Sequence, residues 1–175
     1  MTVGSIHGGA KHNIIPDEVH LQITVRSYAD AVHEQALKSI ERISKGIALA
    51  AGVPEDRLPI MKVGDEYTPS TYNDPALVKR VVKSMRTALG AANVVEREPV
   101  MGAEDFGRYG RTEAKVPIAI MWLGAILPER LELSARNGQP VPSLHSSQFA
   151  PAPDVALKTG VSAMAAAVLD LLGGK

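Results

Sequence analysis

Two residues near the amino terminus have side chains that could hold a substrate. Asn13 follows a pair of glycines at residues 8–9, and Arg26 closes a segment of alternating apolar and polar residues at 18–26. A side-chain amide can donate to a developing oxyanion, and a planar guanidinium can grip a carboxylate with two hydrogen bonds. The alternative is structural: a turn asparagine before a strand that ends in an exposed arginine.

An acidic pair follows a glycine in the stretch Met-Gly-Ala-Glu-Asp-Phe at residues 101–106. Glu104 and Asp105 could face a metal ion or orient a histidine ligand. They could equally stabilise the amino terminus of a short helix through its dipole. The residues alone leave both interpretations open.

A third candidate, His145, lies in the stretch Pro-Val-Pro-Ser-Leu-His-Ser-Ser-Gln-Phe at residues 140–149. Because prolines fix φ and remove backbone donors, this stretch is expected to be extended and irregular. A histidine on such a loop can bind a metal or carry a proton, although it is also a common surface residue. The other histidines lack ligand-type spacing, and the sequence has no His-Glu-x-x-His, P-loop or nucleophile-elbow motif.

The composition narrows the class of protein. A length of 175 residues predicts one domain or two small ones. A formal net charge of zero gives no support for nucleic-acid binding. The sequence lacks a run of 18 apolar residues and a signal-peptide pattern, so no membrane span is expected. Cysteine is absent, which favours a cytoplasmic protein and restricts metal ligands to His, Asp and Glu.

The first part of the chain predicts an antiparallel sheet with a helix on one face. Strands are expected at residues 2–6, 18–26 and 58–67, the second from its period-two alternation. A helix capped by Asp30 and stopped by Gly52 should lie between the last two. Its expected core face consists of Val32, Ala36, Ile40, Ile43 and Ile47.

A cluster of turn-forming residues at 68–75 marks the predicted domain boundary, which gives domains 1–70 and 71–175. Beyond it, Asn73 or Asp74 should cap a helix that has Pro75 at its first position and ends at Gly90. A short helix or turn is expected at 102–106, and strands at 93–96 and 116–123. The strand at 116–123 is almost continuously apolar, which is typical of burial on both faces in a parallel or mixed sheet. A last helix at 154–172 should turn inward Leu157, Val161, Met164, Val168 and Leu172.

Taken together and in this order, these stretches resemble the dimetal amidohydrolases that carry a peptidase-dimerisation domain, such as aminoacylases, hippurate hydrolases and N-acyl-amino-acid amidohydrolases. The matching residues lie at 8–26, 101–106 and 144–149 and in the helix around Gly160. The resemblance covers essentially the whole chain and corresponds to the C-terminal part of such enzymes. It implies an α+β or α/β fold: a partial antiparallel sheet-plus-helix dimerisation domain, then the C-terminal part of a mixed-sheet α/β metallohydrolase domain.

The resemblance also implies a mechanism. Two divalent ions (zinc, manganese or cobalt) activate a water that attacks the amide of an N-acyl amino acid or a peptide-like amide. His145 matches a metal ligand, and Asn13 and Arg26 match the pair that polarises the carbonyl and holds the substrate carboxylate, often across a homodimer. Glu104 and Asp105 match a loop near the metals.

The sequence departs from that family in one important respect. The His-x-Asp ligand pair and the Glu-Glu pair with the general base, which belong to the family's first half, are absent. One histidine cannot hold two ions, because a catalytic zinc usually has three protein ligands. We therefore expect the chain alone to be inactive without an N-terminal half, and to be oligomeric or poorly soluble because half of a sheet leaves apolar surface uncovered. The alternative is a non-catalytic dimerising or binding remnant.

Overall fold

The computed structural model describes residues 1–65 and 67–173, which form two compact units. The first unit combines residues 1–71 with 99–115, and the second combines residues 72–98 with 116–175. The chain passes from the first unit to the second and back, so the segment that holds the acidic pair belongs to the first unit.

The first unit begins with an antiparallel hairpin of β1 (Thr2–Gly8) and β2 (Val19–Thr24). Ile6 lies opposite Leu21, and the register shifts between Val3 and Ser5. These strands confirm those expected at residues 2–6 and 18–26. The apolar residues of β2 are nevertheless exposed, at 51% for Val19 and 52% for Leu21. The alternation therefore predicted the strand correctly, while its apolar face stays open to solvent.

Helix α1 (Asp30–Ala50) follows the hairpin, and its ends test two predictions. Ala29 is the N-cap and Asp30 is the first helical residue, so the prediction that Asp30 caps the helix is wrong. Gly52 has a φ of 78° just beyond the helix, which confirms it as the stop. The helix begins without a side-chain cap, and the Asp30 carboxylate binds Arg111 instead.

The expected core face of α1 is only partly correct. Ala36 and Ile40 are half-buried and Ala48 is buried. Val32, Ile43 and Ile47 are exposed at 55%, 50% and 66%, so their assignment to the core is wrong. An apolar stripe at helical spacing shows which face requires a partner, but burial also needs an element that covers it.

The prediction of a strand at residues 58–67 is also wrong. Residues 58–65 and 67 are irregular, and residue 66 lies outside the described residues. A single turn of 3-10 helix, Glu55–Arg57, precedes this segment. Apolar alternation does not make a strand unless a neighbouring strand pairs with its backbone. The short helix or turn expected at 102–106 corresponds to a 3-10 helix, Asp105–Arg111.

The second unit is built on α2 (Pro75–Leu89) and α4 (Pro153–Leu172), with the shorter α3 (Pro128–Asn137) between them in sequence. Asp74 caps α2 by accepting a hydrogen bond from the Leu77 amide at 2.7 Å, and Pro75 begins the helix as predicted. Gly90, with a φ of 86°, ends it. The core consists of Val81, Met85 and Ala167, with Leu77, Val94 and Ala163 packed against it.

Helix α4 turns to the core a different face from the one expected, about 100° away around the helix. The buried residues are the small Ala156 and Ala167, at 8% and 6% exposure. The residues expected to face inward are exposed, at 67% for Leu157, 69% for Val161 and 63% for Met164. Val168 and Leu172, at 47% and 83%, are exposed as well, so that prediction is wrong for the whole stripe.

The segments expected as strands at 93–96 and 116–123 are not strands. Residues 91–93 form a turn of 3-10 helix, and residues 116–123 are irregular. Ile118 is buried at 7%, whereas Trp122 is exposed at 68%, so burial on both faces is also wrong. Within the described residues the hairpin is the only sheet, and the remaining regular structure includes four α-helices. This antiparallel sheet with helices confirms the α+β class.

One helix of the described chain is long and apolar enough to cross a membrane by length and composition: Pro153–Leu172, with a mean hydropathy of 1.6 over its most apolar window. Core helices of soluble proteins meet the same criterion. Here Ala163 and Ala167 pack against α2, and Asp170 pairs with Arg80 at 2.7 Å. The helix is therefore weak evidence for a membrane span.

Candidate functional site in the first unit

Arg26 is held by the segment that contains the acidic pair. It lies two residues beyond the end of β2, and its side chain is exposed. Its Nη1 donates a hydrogen bond to the Met101 carbonyl oxygen at 2.6 Å. The sequence stretches at 8–26 and 101–106 thus meet at these two residues. A guanidinium has five N–H donors, so the remaining donors can still bind a carboxylate.

The two members of the acidic pair have different environments. Glu104 is the N-cap of the 3-10 helix, and its Oε1 accepts a hydrogen bond from the Phe106 amide at 3.0 Å. Its carbonyl oxygen accepts from the Thr71 hydroxyl at 3.3 Å. Of the two interpretations of the acidic pair, the structural one therefore fits Glu104, which caps the amino-terminal end of the 3-10 helix. Among the described residues the exposed Asp105 carboxylate makes no ion pair or hydrogen bond.

An ion pair that the sequence did not predict ties the end of this 3-10 helix to the start of α1. Arg111 donates to both carboxylate oxygens of Asp30, at 2.7 and 3.1 Å, and to the Ser70 hydroxyl at 3.2 Å. The hydrogen bond from Arg111 holds the pKa of the Asp30 carboxyl below its ordinary value of 3.8. The same bond raises the pKa of Arg111. A two-pronged contact of this kind fixes orientation as well as distance.

Two further contacts fix the same helix. Gly107 is buried, and a Cβ placed there would lie 2.7 Å from the Thr71 hydroxyl and 3.1 Å from the Ser70 carbonyl oxygen. Arg108 donates to the Tyr67 carbonyl oxygen at 2.5 Å. The segment at 101–111 is thus bound to residues 67–71 along most of its length. The local sequence pattern could not predict these contacts, because each joins residues far apart in the chain.

Asn13 lies in the exposed turn that joins β1 and β2. The next amide, of Ile14, donates to the Lys11 carbonyl oxygen at 3.3 Å. In the described part of the chain no hydrogen bond joins the Asn13 side chain to Arg26 or to another residue. Its amide is accordingly free to donate to a ligand, and the structure does not bring it into contact with Arg26.

His145 belongs to the second unit and has an unusual backbone conformation. Its φ is 68°, which is uncommon for a residue with a Cβ. It lies in a turn in which the Ser146 amide donates to the Ser143 carbonyl oxygen at 3.1 Å, and its side chain is exposed. Strained backbone of this kind occurs often at ligand-binding positions. The strain therefore supports a role for His145 without defining it.

The described residues do not form a metal centre on their own. Within residues 1–65 and 67–173, no three His, Asp or Glu side chains are grouped closely enough to hold an ion. His145 supplies one imidazole, whereas a catalytic zinc usually takes three protein ligands. The residues present thus do not fit a complete metal site.

The amino-terminal part of the chain is similar to a known domain family. Residues 1–51 match the family model described as the peptidase dimerisation domain. This range includes the hairpin, Asn13, Arg26 and α1.

Named relatives cover more of the chain. It is 33% identical to thermostable carboxypeptidase 1 of Saccharolobus solfataricus over 165 residues, which is 94% of this chain and 37% of that protein. It is 34% identical to an N-acetyldiaminopimelate deacetylase of Leuconostoc citreum over 124 residues, 71% of this chain and 30% of the relative. It is 32% identical to an IAA-amino acid hydrolase of Arabidopsis thaliana over 114 residues, 64% and 25% of the two chains. The chain thus spans less than half of the length of these relatives.

Proposed function

Because this chain belongs to the amidohydrolase family that carries a peptidase-dimerisation domain, we propose that it supplies substrate-binding groups to a metal-dependent amidohydrolase. The substrate is an N-acyl amino acid or a peptide-like amide with a free carboxylate, as in hippurate hydrolase. The observation that carries this proposal is the Arg26 guanidinium, fixed at one nitrogen by the Met101 carbonyl oxygen at 2.6 Å. A guanidinium held in this way is pre-oriented for a carboxylate.

The names of the relatives support this substrate class. They are a carboxypeptidase, a deacetylase of N-acetyldiaminopimelate and a hydrolase of IAA-amino acid. An amide next to a carboxylate is the chemical feature common to such substrates. Arg26 would bind the carboxylate, and the Asn13 amide would donate to the carbonyl oxygen as negative charge develops there.

We propose that the complete enzyme uses divalent metal, of which zinc, manganese and cobalt are the candidates. His145 would contribute one ligand through its imidazole. Asp105, whose carboxylate is exposed, would lie near the metals, and Glu104 would keep its capping role. The remaining ligands and the general base would come from polypeptide other than the described residues. A homodimer in the cytoplasm is the proposed assembly, since residues 1–51 match a dimerisation domain.

A second candidate is a dimerising or binding module that retains the substrate-binding groups and performs no chemistry. The lack of a three-ligand group among residues 1–65 and 67–173 favours it for the chain in isolation. The two functions differ in metal stoichiometry, because only the enzyme requires tightly bound ions.

Hydrolysis of N-benzoylglycine and of N-acetyl amino acids by the purified chain, with added zinc, manganese or cobalt, is measured beside calorimetric binding of N-benzoylglycine. His145→Ala is measured in parallel. Turnover that requires both metal and His145 would support the enzyme and contradict the need for further polypeptide. Binding of N-benzoylglycine that is lost in Arg26→Gln, without turnover by this chain, supports the role of Arg26 in both functions, and tight zinc binding that is lost in His145→Ala then favours the enzyme. Absence of both turnover and binding would contradict the assignment of Arg26 to a substrate carboxylate.

A further inference from the structure

The orientation of the Arg26 side chain depends on a distant segment. In the described residues its only hydrogen bond is to the Met101 carbonyl oxygen, 75 residues along the chain. A main-chain carbonyl can orient a guanidinium only if its own position is fixed. The position of Met101 depends on the contacts that attach residues 101–111 to the rest of the first unit.

Arg108 holds the middle of the segment through one hydrogen bond to the Tyr67 carbonyl oxygen at 2.5 Å, but the strongest attachment is at its far end. Thr71 donates to the Glu104 carbonyl oxygen at 3.3 Å, a long neutral hydrogen bond. Arg111, by contrast, makes a two-pronged charged contact with Asp30 at 2.7 and 3.1 Å and also binds Ser70. Charge-assisted hydrogen bonds are stronger than neutral ones, and two parallel bonds also fix the angle of approach.

The partner of Arg111 is well placed for this purpose. Asp30 is the first residue of α1, a helix of 21 residues. A carboxylate in the first turn is stabilised by the helix dipole. The contact therefore fastens the carboxyl end of a short 3-10 helix to the start of a long, regular one.

We propose that Arg111 is a positioning residue: its contact with Asp30 fixes residues 101–111 so that the Met101 carbonyl oxygen orients the Arg26 guanidinium. The functional meaning of this assignment rests on the proposed role of Arg26 in binding the substrate carboxylate. The geometric relation between Arg111 and Arg26 does not depend on that role. It can be tested on the chain alone, without turnover.

Arg111→Gln removes the charge and the two-pronged contact while leaving a polar side chain of similar reach. Lys45→Gln is the matched control, because it removes one cation from a surface pair with Glu41 at 2.7 Å in the same unit. Two signals are compared with the unaltered chain. They are amide hydrogen exchange across 101–111 and the side-chain Nε–Hε nuclear magnetic resonance signal of Arg26, which Arg26→Lys identifies by its disappearance.

In Arg111→Gln we expect exchange across 101–111 to accelerate about three- to tenfold, and the Arg26 signal to move towards that of a free arginine. Lys45→Gln should change neither. Arg111→Lys should restore the exchange rates only in part, because an ammonium cannot form the fork. An unchanged Arg26 signal in a folded Arg111→Gln chain would overturn the proposal. If the Arg26 signal moves as expected but the unaltered chain does not bind N-benzoylglycine, the proposed function fails while the positioning role of Arg111 stands.

Discussion

The side-chain amide of Asn73 forms two hydrogen bonds with the main chain of Ile120, one in each direction and each 2.8 Å long. The Asp74 amide adds a third by donating to the Ile118 carbonyl oxygen at 2.8 Å. These contacts take the place of a neighbouring strand for an apolar segment that has none among the described residues. They explain why residues 116–123 are held in place although they belong to no sheet.

We expect Asn73→Ala to reduce the free energy of unfolding of the second unit by about 0.5–1.5 kcal/mol, because it removes two exposed hydrogen bonds to the main chain of Ile120. Asn73→Asp should not restore this stability, since it keeps the acceptor for the Ile120 amide but sets a second oxygen against the Ile120 carbonyl oxygen. Unfolding in urea, followed by the fluorescence of Trp122, measures the effect. Asn13→Ala is the control, because its amide has no hydrogen bond within the described chain. Equal effects of the Asn73 and Asn13 variants would show that the Ile120 contact contributes nothing.

Glycines 46 and 107 should respond in opposite ways to the same substitution. Gly107→Ala places a Cβ 2.7 Å from the Thr71 hydroxyl, and overpacking of this kind costs about 1–3 kcal/mol. Gly46→Ala, in the middle of α1 with open space around it, should stabilise the first unit by about 0.5–1 kcal/mol. Melting temperatures of the two variants, followed by circular dichroism, provide the comparison. A loss of stability in both would mean that Gly46 is packed against something the structure does not show.

The positive φ of His145 predicts that glycine is preferred to alanine at this position. His145→Gly should be more stable than His145→Ala by about 1–2 kcal/mol, because the Cβ penalty of the left-handed region applies only to alanine. Both variants remove the imidazole, so under the proposed role of His145 as a ligand they should weaken zinc binding equally. Chemical denaturation gives the first quantity and calorimetry with zinc gives the second. Equal stability would indicate that the turn at 143–146 relaxes in solution.

The contact between Asp30 and Arg111 should weaken only in strong acid. The pKa of Asp30 is lowered in the folded state by its hydrogen bond from Arg111, so the contribution of this pair is complete above the unfolded pKa of 3.8. It is lost as the pH falls through the lowered folded-state value. Carbon resonances of the Asp30 carboxyl, titrated in the unaltered chain and in Arg111→Gln, should show a lower pKa in the former. Coincident titration curves would contradict the contact.

The exposed stripe of α4 predicts association of the isolated chain. Val161 and Met164, exposed at 69% and 63%, lie in a row of large apolar side chains, and such surface favours self-association. Val161→Asn combined with Met164→Gln should shift the molecular mass measured by light scattering towards that of one chain. Leu133→Gln, which removes a single leucine exposed at 60% on α3, serves as the control. A monomer in the unaltered chain would refute the prediction.

Features governed by neighbouring residues could be predicted from the sequence. The Asp74 cap, Pro75 at the helix start and the stop at Gly90 each depend on residues within one turn. The second strand of the hairpin followed from its period-two alternation. The strands at 58–67 and 116–123 failed because pairing needs a partner that a local pattern cannot supply.

The same distinction between local and long-range features applies to the candidate site. The chemistry of Arg26 could be read from its type, and the stretches that meet at Met101 were both singled out. The ion pair between Arg111 and Asp30 joins residues 81 positions apart, and no periodicity or motif links them. The roles assigned to Asn13, Arg26 and His145 stay predictions.

Helix α4 distinguishes its two sides by size rather than by polarity. Both sides are apolar, but Ala163 and Ala167 allow close approach of α2, while Leu157 and Val161 project from the other side. On the alanine side another helix can pack closely against α4. On the side with the large residues, a partner would need grooves deep enough to hold the projecting side chains. Substitution of one aliphatic residue by another can therefore change which surfaces the helix can pack against. Ala167→Leu, for example, would fill the space that α2 now occupies, although the side chain stays apolar.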